Sequence, residues 1–382
     1  MKVNGFEWKG KKVLVTGATG FKGAWACAAA LALGARVHAT RRNHIHPASA
    51  FALFGLEDQV TSASVDISDR QDVYDLINTA EPDLILHMAA KALVPVGLRD
   101  PRRALDVNIM GTANLIEACR RIHVCNRLLI CSTDHVFGNV KPDDLPPNGF
   151  DERDRVSYGG PYDTSKAAME LVVRMYHSTY WGTVPAIGIT RCANVFGFGD
   201  TNPRRVVPLF VTSAMSDKNI PLRYRLNGRQ FIYVTDAIAG YFRAVSSLGE
   251  PGDVKPAERS PFTPTYHFAI EKYPGTDKPY IEMKALAELT GRLFDAPVTE
   301  VQCVDYAPNE NRIQALSCQS TRAELGWRTE VPLADGLRRL GEWYAASGDT
   351  AALRRLMQDD LKALTSSLGD TRISAGAASV AA

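Results

Sequence analysis

Short apolar runs alternate with longer stretches whose apolar residues recur at helical spacing through the first half of the chain. Residues 12–16, 84–88, 127–132 and 186–190 are rich in Val, Ile or Leu, as befits strands covered on both faces, and 35–40 is read as a further strand. Between them, 24–33, 73–79, 107–122 and 165–179 carry helical spacing, the first being composed almost wholly of small apolar residues. Strands alternating with helices predict an α/β fold, a doubly wound parallel sheet with helices on both faces.

After residue 190 the alternation loosens into a turn-rich segment at 197–202, a helix at 205–215 and a Gly/Pro-rich connection at 249–264. This organisation predicts a dinucleotide-binding domain over 1–190 and a smaller C-terminal substrate-binding lobe over 191–365, with some segments of the lobe returning to the sheet. Residues 366–382, dominated by Gly, Ala and Ser, are expected to be a disordered tail.

Composition narrows the function without choosing it. Forty-four basic residues stand against 42 acidic ones, a formal net charge of +2 with no long run of one sign. That balance argues against nucleic acid or a membrane surface and for a small-molecule substrate. The first residues lack the apolar core of a signal peptide and the longest apolar run, 24–33, is too short to span a bilayer, so a cytoplasmic location is expected. Seven cysteines form no CxxC pair and read as small core residues. The close pair His44 and His46 has no carboxylate or cysteine beside it, so no metal site is expected.

The first strand runs into a glycine loop containing Gly17, Thr19, Gly20, Phe21, Lys22 and Gly23. Glycines at this spacing let backbone N–H groups and a helix N-terminus approach a pyrophosphate. Asp66 and Ile67 are expected at the end of a further strand, where a carboxylate can meet an adenine amine, and Met88, Ala89 and Ala90 end the next with side chains small enough to admit a ribose. Thr40, Arg41 and Arg42 close the second strand where NAD-binding proteins carry an acid, which favours NADP over NAD because guanidinium groups suit a 2'-phosphate. A solvated basic turn is the alternative reading of the two arginines.

Thr133 stands at the end of the strand 127–132, and Tyr162 precedes Lys166 by one helical turn. An ammonium on the same helix face can stabilise a phenolate and reach the nicotinamide ribose. With these residues the chain resembles the extended short-chain dehydrogenase/reductase family, and within it the nucleotide-sugar 4,6-dehydratases. The resemblance covers about residues 10–345, through VTGATGFKG, HMAA, the segment beginning at Asn108, STDHVFG, YDTSK, CANVFGFGD and the segment from Arg229 to Asp236. GFKGAW and ALSCQSTRAELGW look most like CDP-glucose enzymes, whereas Thr40, Arg41 and Arg42 look more like the NADP-binding GDP-mannose enzymes.

The resemblance implies a Rossmann fold, a tightly bound and recycled cofactor contacted also by Asn108, Tyr162 and Lys166, and a homodimer built on helices 107–122 and 165–179. It implies that Thr133, Tyr162 and Lys166 oxidise the hexose at C4 and that Asp134 protonates the departing C6 hydroxyl. Before that, a base at position 135 removes the C5 proton. There the chain departs from the pattern, since the dTDP-glucose and GDP-mannose enzymes carry Glu and the CDP-glucose enzymes Lys. His135 can act as a base at neutral pH, or can hydrogen-bond the sugar only, as in an epimerase or reductase. Asn194 and Arg229 match positions that contact the sugar phosphate and the diphosphate; Arg204, Arg205 and Arg312 are further candidates. Asp236 is expected to be structural, and so is His87. A protein that senses NAD(P) without catalysis is the reading from another class, though it has no use for Thr133, Tyr162 and Lys166.

Overall fold

The computed structural model describes the chain except residues 42–44, 181, 217–218, 250–262, 274, 307–309 and 370–382. Seven strands form one all-parallel sheet: β1 (Lys12–Thr16), β2 (Arg36–Arg41), β3 (Thr61–Ser64), β4 (Leu84–His87), β5 (Arg127–Cys131), β6 (Ala186–Cys192) and β7 (Thr265–Phe268). Their spatial order is β7-β6-β5-β4-β1-β2-β3. The chain therefore reverses its direction of travel between β1 and β4, and a crevice opens at the carboxyl ends of those two strands. Register aligns Thr16 with His87, and Cys131 with Thr190.

Helix α1 (Phe21–Ala32) is apolar on every side and buried from Gly23 to Ala30, as a helix without a polar face must be. It packs between the sheet and the helices Val234–Ser247 and Thr350–Gly369. The indole N–H of Trp25 donates to the Phe198 carbonyl at 2.8 Å, tying this helix to the second half of the chain. On the other face Gly111–Ile122 and Pro161–Thr179 pack together.

Three expectations are corrected. The helix expected over 107–122 begins with a π-helical turn at Asp106–Met110 and becomes α-helical at Gly111. Residues 366–369, expected in the tail, complete the helix Thr350–Gly369, because Leu364 and Leu368 extend its buried stripe. The strand before Asp66 stops at Ser64, so Asp66 sits in a turn. Most of the 249–264 connection, and 370–382 of the expected tail, lie outside the described residues.

The lobe and the sheet domain are interwoven. Strand β7 pairs with β6, while Asn194–Phe196 pairs with Phe231–Tyr233, Ile220–Tyr224 with Val298–Val304, and Gly228–Arg229 with Ile281–Glu282. Isolated bridges join Ile313 to Val140 and Gly228, and Leu316 to Phe150. They draw the segment after residue 310 across the carboxyl end of β5. Among the described residues no helix is long and apolar enough to cross a membrane.

Candidate active site

The crevice between β1 and β4 has the build of a dinucleotide seat. Gly17 has φ +72°, and a Cβ there would lie 2.8 Å from both the Cα and the N of Ala89. A Cβ on Gly23 would come 2.3 Å from the Gly17 carbonyl oxygen. Both glycines are thus required for the loop to lie against β4 and its own helix. Thr16 braces the same junction, its hydroxyl accepting from the N–H groups of Met88 and Ala89 at 3.1 and 3.2 Å. Gly20 caps α1, no acidic side chain occupies the first turn, and Thr19, Gly20, Phe21 and Lys22 retain partial or full solvent access. An open helix N-terminus without an acidic competitor fits a pyrophosphate.

The residues flanking this seat divide by what already holds them. Thr40 is buried, and its hydroxyl accepts the Gly17 N–H at 2.9 Å, so it shapes the glycine loop. Arg41 lies 3.8 Å from Glu57, and its buried Nε has no hydrogen-bond partner. Arg42 lies outside the described residues. Asp66 pairs with Arg103 and accepts from the Ser68 hydroxyl at 2.7 Å; although burial opposes them, the Ser68 and Arg103 bonds hold its carboxyl below the usual range. Ile67 packs against Gly111, where its Cγ1 would meet a Cβ at 2.8 Å. Asn108, on the π-helical turn, accepts the Lys91 N–H at 2.8 Å and donates to the Ser165 hydroxyl at 2.8 Å. Such turns often re-aim a side chain at a functional site. His87 sits buried between the hydroxyls of Thr16 and Thr112 at 2.8 and 3.0 Å, the structural part expected of it.

At the carboxyl end of β5 the chain turns sharply, and Thr133, Asp134 and His135 leave the sheet together. Thr133 caps a short 3-10 turn, and its hydroxyl donates to Asp134 Oδ1 at 3.0 Å. Asp134 is buried, its Oδ2 has no hydrogen-bond partner, and burial pushes its carboxyl up. A carboxyl kept partly out of water keeps its proton to a higher pH than an exposed one. Tyr162 opens the helix Pro161–Thr179 behind Pro161 at its first position. Burial pushes its phenol up, the adjacent Thr133 hydroxyl pulls it down, and the charges of Asp134 and Asp163 add to the rise. Lys166 is buried, donates from Nζ to the Cys131 carbonyl at 2.6 Å, and is brought down to about 8, chiefly by burial.

The predicted arginines take different stations. Arg229 is buried beside Asp134 and Asp163, its guanidinium donating to the carbonyls of Gly228 and Arg312 at 2.9 and 3.2 Å and lying 3.6 Å from Glu310. Arg205 pairs with Asp200 at 2.5 Å, lies 5.9 Å from the centroid of the Phe21 ring, and its charge reaches Tyr162. Arg312 lies over the Tyr306 ring at 4.9 Å, and Arg204 is exposed. The amide of Asn194 donates to the Gln230 carbonyl at 3.2 Å, next to Arg229 along the chain. Asp236 accepts the N–H groups of Glu330 and Val331 at 3.1 and 3.0 Å, as a structural residue does.

Two polar residues at the centre escaped the sequence reading. Asp163 lies 2.8 Å from His135 Nδ1 through Oδ1 and accepts the Asn311 amide at 3.2 Å through Oδ2. For Asp163 the signal was an acid placed directly after the tyrosine, easily taken for a helix-dipole residue. For Asn311 no local signal exists.

A parallel sheet in this order, a glycine loop at its switch point, Thr133 at the neighbouring strand end and Tyr162 and Lys166 on the helix beside it are the features of a dehydrogenase/reductase-type enzyme built on a Rossmann fold. The chain belongs to the NAD dependent epimerase/dehydratase family, which matches residues 13–255, and a nicotinamide dinucleotide is its cofactor. The dTDP-glucose 4,6-dehydratase of Streptomyces antibioticus is 30% identical over 356 residues, covering 87% of this chain and 92% of its own. The CDP-glucose 4,6-dehydratase of Salmonella typhimurium is 24% identical over 350 residues, 89% of this chain and 92% of its own. The structure of DesIV, a dTDP-glucose 4,6-dehydratase from Streptomyces venezuelae with NAD and TYD bound, aligns with a TM-score of 0.72 at 24% identity, over 88% of this chain and 97% of that one. A UDP-glucose 4-epimerase from Thermotoga maritima aligns with a TM-score of 0.72 at 20% identity, over 88% and 99%. The likeness to 4,6-dehydratases read from the motifs thus extends over nearly the whole chain.

Proposed function

We propose that this enzyme is an NADP-preferring hydro-lyase that converts a nucleotide-diphosphate hexose to its 4-keto-6-deoxy form, working as a homodimer. The observation that carries this reading is the buried Asp134 carboxyl, pushed up by burial with Oδ2 unpartnered, standing between Thr133 and His135. An epimerase or simple ketoreductase has no leaving group at C6 and no use for such an acid. The cofactor preference rests on Arg41, whose buried Nε is unpartnered, and on a second strand that ends without an acid.

In this reading the glycine loop Gly17–Gly23 would hold a nicotinamide dinucleotide, which would supply the hydride acceptor for C4 and the hydride donor for C6. Tyr162, steadied by Thr133 and with Lys166 on the next helical turn, removes the C4 hydroxyl proton. The ketone so formed acidifies C5–H, His135 takes that proton, and Asp134 protonates the C6 hydroxyl as it departs as water. His135 then gives its proton back to C5. Over the cycle the proton drawn from the C4 hydroxyl replaces the one Asp134 gives up, so one water leaves with no net redox change. Asn194, Arg205, Arg229 and Arg312 would hold the sugar and its diphosphate.

Incubation with CDP-glucose, GDP-mannose, dTDP-glucose and UDP-sugars, without added reductant, tests this by mass spectrometry. One substrate should lose one water. An unchanged mass with inverted stereochemistry would make the enzyme an epimerase instead. The affinity of refolded apoenzyme for NADP and NAD tests the cofactor, and a clear preference for NAD overturns that part.

A further inference from the structure

His135 is the residue at which this chain departs from the enzymes it resembles, and the structure surrounds it with partners of its own. Its Nδ1 lies 2.8 Å from Asp163 Oδ1. Asp163 is itself buried, and its second oxygen accepts the Asn311 amide at 3.2 Å. The Asn311 backbone carbonyl is in turn held by Asn227 Nδ2 at 3.0 Å. His135 Nε2 has no hydrogen-bond partner among the described residues, and the side chain keeps 20% of its surface exposed. These contacts join three distant segments: the turn after β5, the first turn of the helix Pro161–Thr179, and the segment following residue 310.

A carboxylate accepts hydrogen bonds and cannot donate them, so the proton between Nδ1 and Asp163 sits on Nδ1. In a neutral imidazole that leaves Nε2 as the bare, basic nitrogen. The Asn311 amide lies 3.5 Å from the same Nδ1 but has the carboxylate as its better acceptor. Ring orientation is fixed as well, with the imidazole edge to face against Tyr162.

We infer that Asp163, seated by Asn311, is a positioning residue that holds His135 in the Nδ1–H tautomer so that Nε2 can take the C5 proton of the substrate. The inference rests on the proposal that His135 is the elimination base. The Tyr162 step does not depend on it. Asp163 bonds to His135 and Asn311, and its negative charge raises the Tyr162 phenol and also acts on Arg229. C4 oxidation is therefore expected to survive removal of that charge.

The test uses full-length enzyme with its cofactor and whichever sugar nucleotide it turns over. Asp163→Asn replaces an acceptor with an amide that can donate to Nδ1 and so favour the Nε2–H tautomer. Expected are a fall in kcat of about 100-fold or more, KM within about threefold of wild type, and loss of C5 solvent exchange. Nicotinamide absorbance should show reduced cofactor accumulating in a single turnover, because oxidation proceeds while elimination stalls. Asn311→Ala should move the same readouts in the same direction by less. In 15N-histidine NMR spectra, with His135→Gln identifying the resonance, wild type should show the Nδ1–H tautomer and Asp163→Asn a shift toward Nε2–H. Normal kcat and an unchanged tautomer in Asp163→Asn would overturn the inference, as would equal loss of C4 oxidation and C5 exchange, which marks a structural role. If His135→Gln retains C5 exchange, the underlying base assignment fails instead.

Discussion

The rings of His135 and Tyr162 meet edge to face, their centroids 5.5 Å apart and their planes at 72°. This contact brings the group proposed to start the reaction against the group proposed to continue it. C4 and C5 of a hexose are adjacent carbons, so a phenol serving one and an imidazole serving the other must be neighbours. Asp134, next to His135 along the chain, is buried with an unpartnered oxygen.

Asp134→Asn should remove the acid while preserving shape. The expected result is a fall in kcat of about 100-fold to 10,000-fold with little change in KM. Stopped-flow absorbance should still register cofactor reduction. Full activity in this variant would eliminate Asp134 as the proton donor for C6.

Gly17→Ala should abolish cofactor binding and destabilise the fold together. The added methyl meets Ala89 backbone at 2.8 Å in a left-handed conformation, and such a position costs about 1–3 kcal/mol before any clash is counted. Isothermal titration with the dinucleotide and a thermal melt read the two effects. Wild-type affinity in the variant would show that the loop does not approach β4 as described.

Stability should decline in acid partly through His87. Burial lowers its folded value from 6.5 to about 3, so between those values the unfolded chain binds a proton that the folded chain refuses. The contribution is fully present above pH 6.5 and is lost as pH falls toward 3, at about 1.4 kcal/mol per pH unit of that window at most. Urea titrations across the window should give a steeper loss for wild type than for His87→Gln. Parallel curves would contradict the assignment.

Leu98, Leu105, Met110, Leu171 and Met175 are exposed apolar residues on mutually packed helical segments. Patches of this kind commonly mark an interface, and the proposed homodimer would cover this one. Leu171→Arg should therefore shift sedimentation from dimer toward monomer with the fold retained. A wild-type chain that sediments as a monomer at micromolar concentration would remove the dimer from the proposal.

Much of the fold was legible because it is written in local patterns. The strands 12–16, 84–88 and 127–132 were found to within one residue, since an apolar run bounded by turn residues leaves little choice. Boundaries slipped where the signal is weak. The helix at Pro161–Thr179 starts four residues before its apolar spacing does, because proline at the first position and the buried Tyr162 mark its start without adding to a periodic stripe. The π-helical turn at Asp106–Met110 has no sequence signature, and it carries the Asn108 that bonds Lys91 and Ser165.

By itself the sequence determined the strand and helix order through periodicity, the glycine loop through its motif, and the Tyr162 and Lys166 pair through spacing of one helical turn, with Thr133 marked by its place at a strand end. Only tertiary structure decided what surrounds His135. Asn311 reaches Asp163 over a sequence separation of 148, and Arg229 comes beside Asp134 through pairing within the lobe. No local pattern encodes such meetings. They are selected by the burial of apolar surface elsewhere, by Ile313 and Leu316 packing across the sheet edge, and the polar groups between them follow where that packing leads.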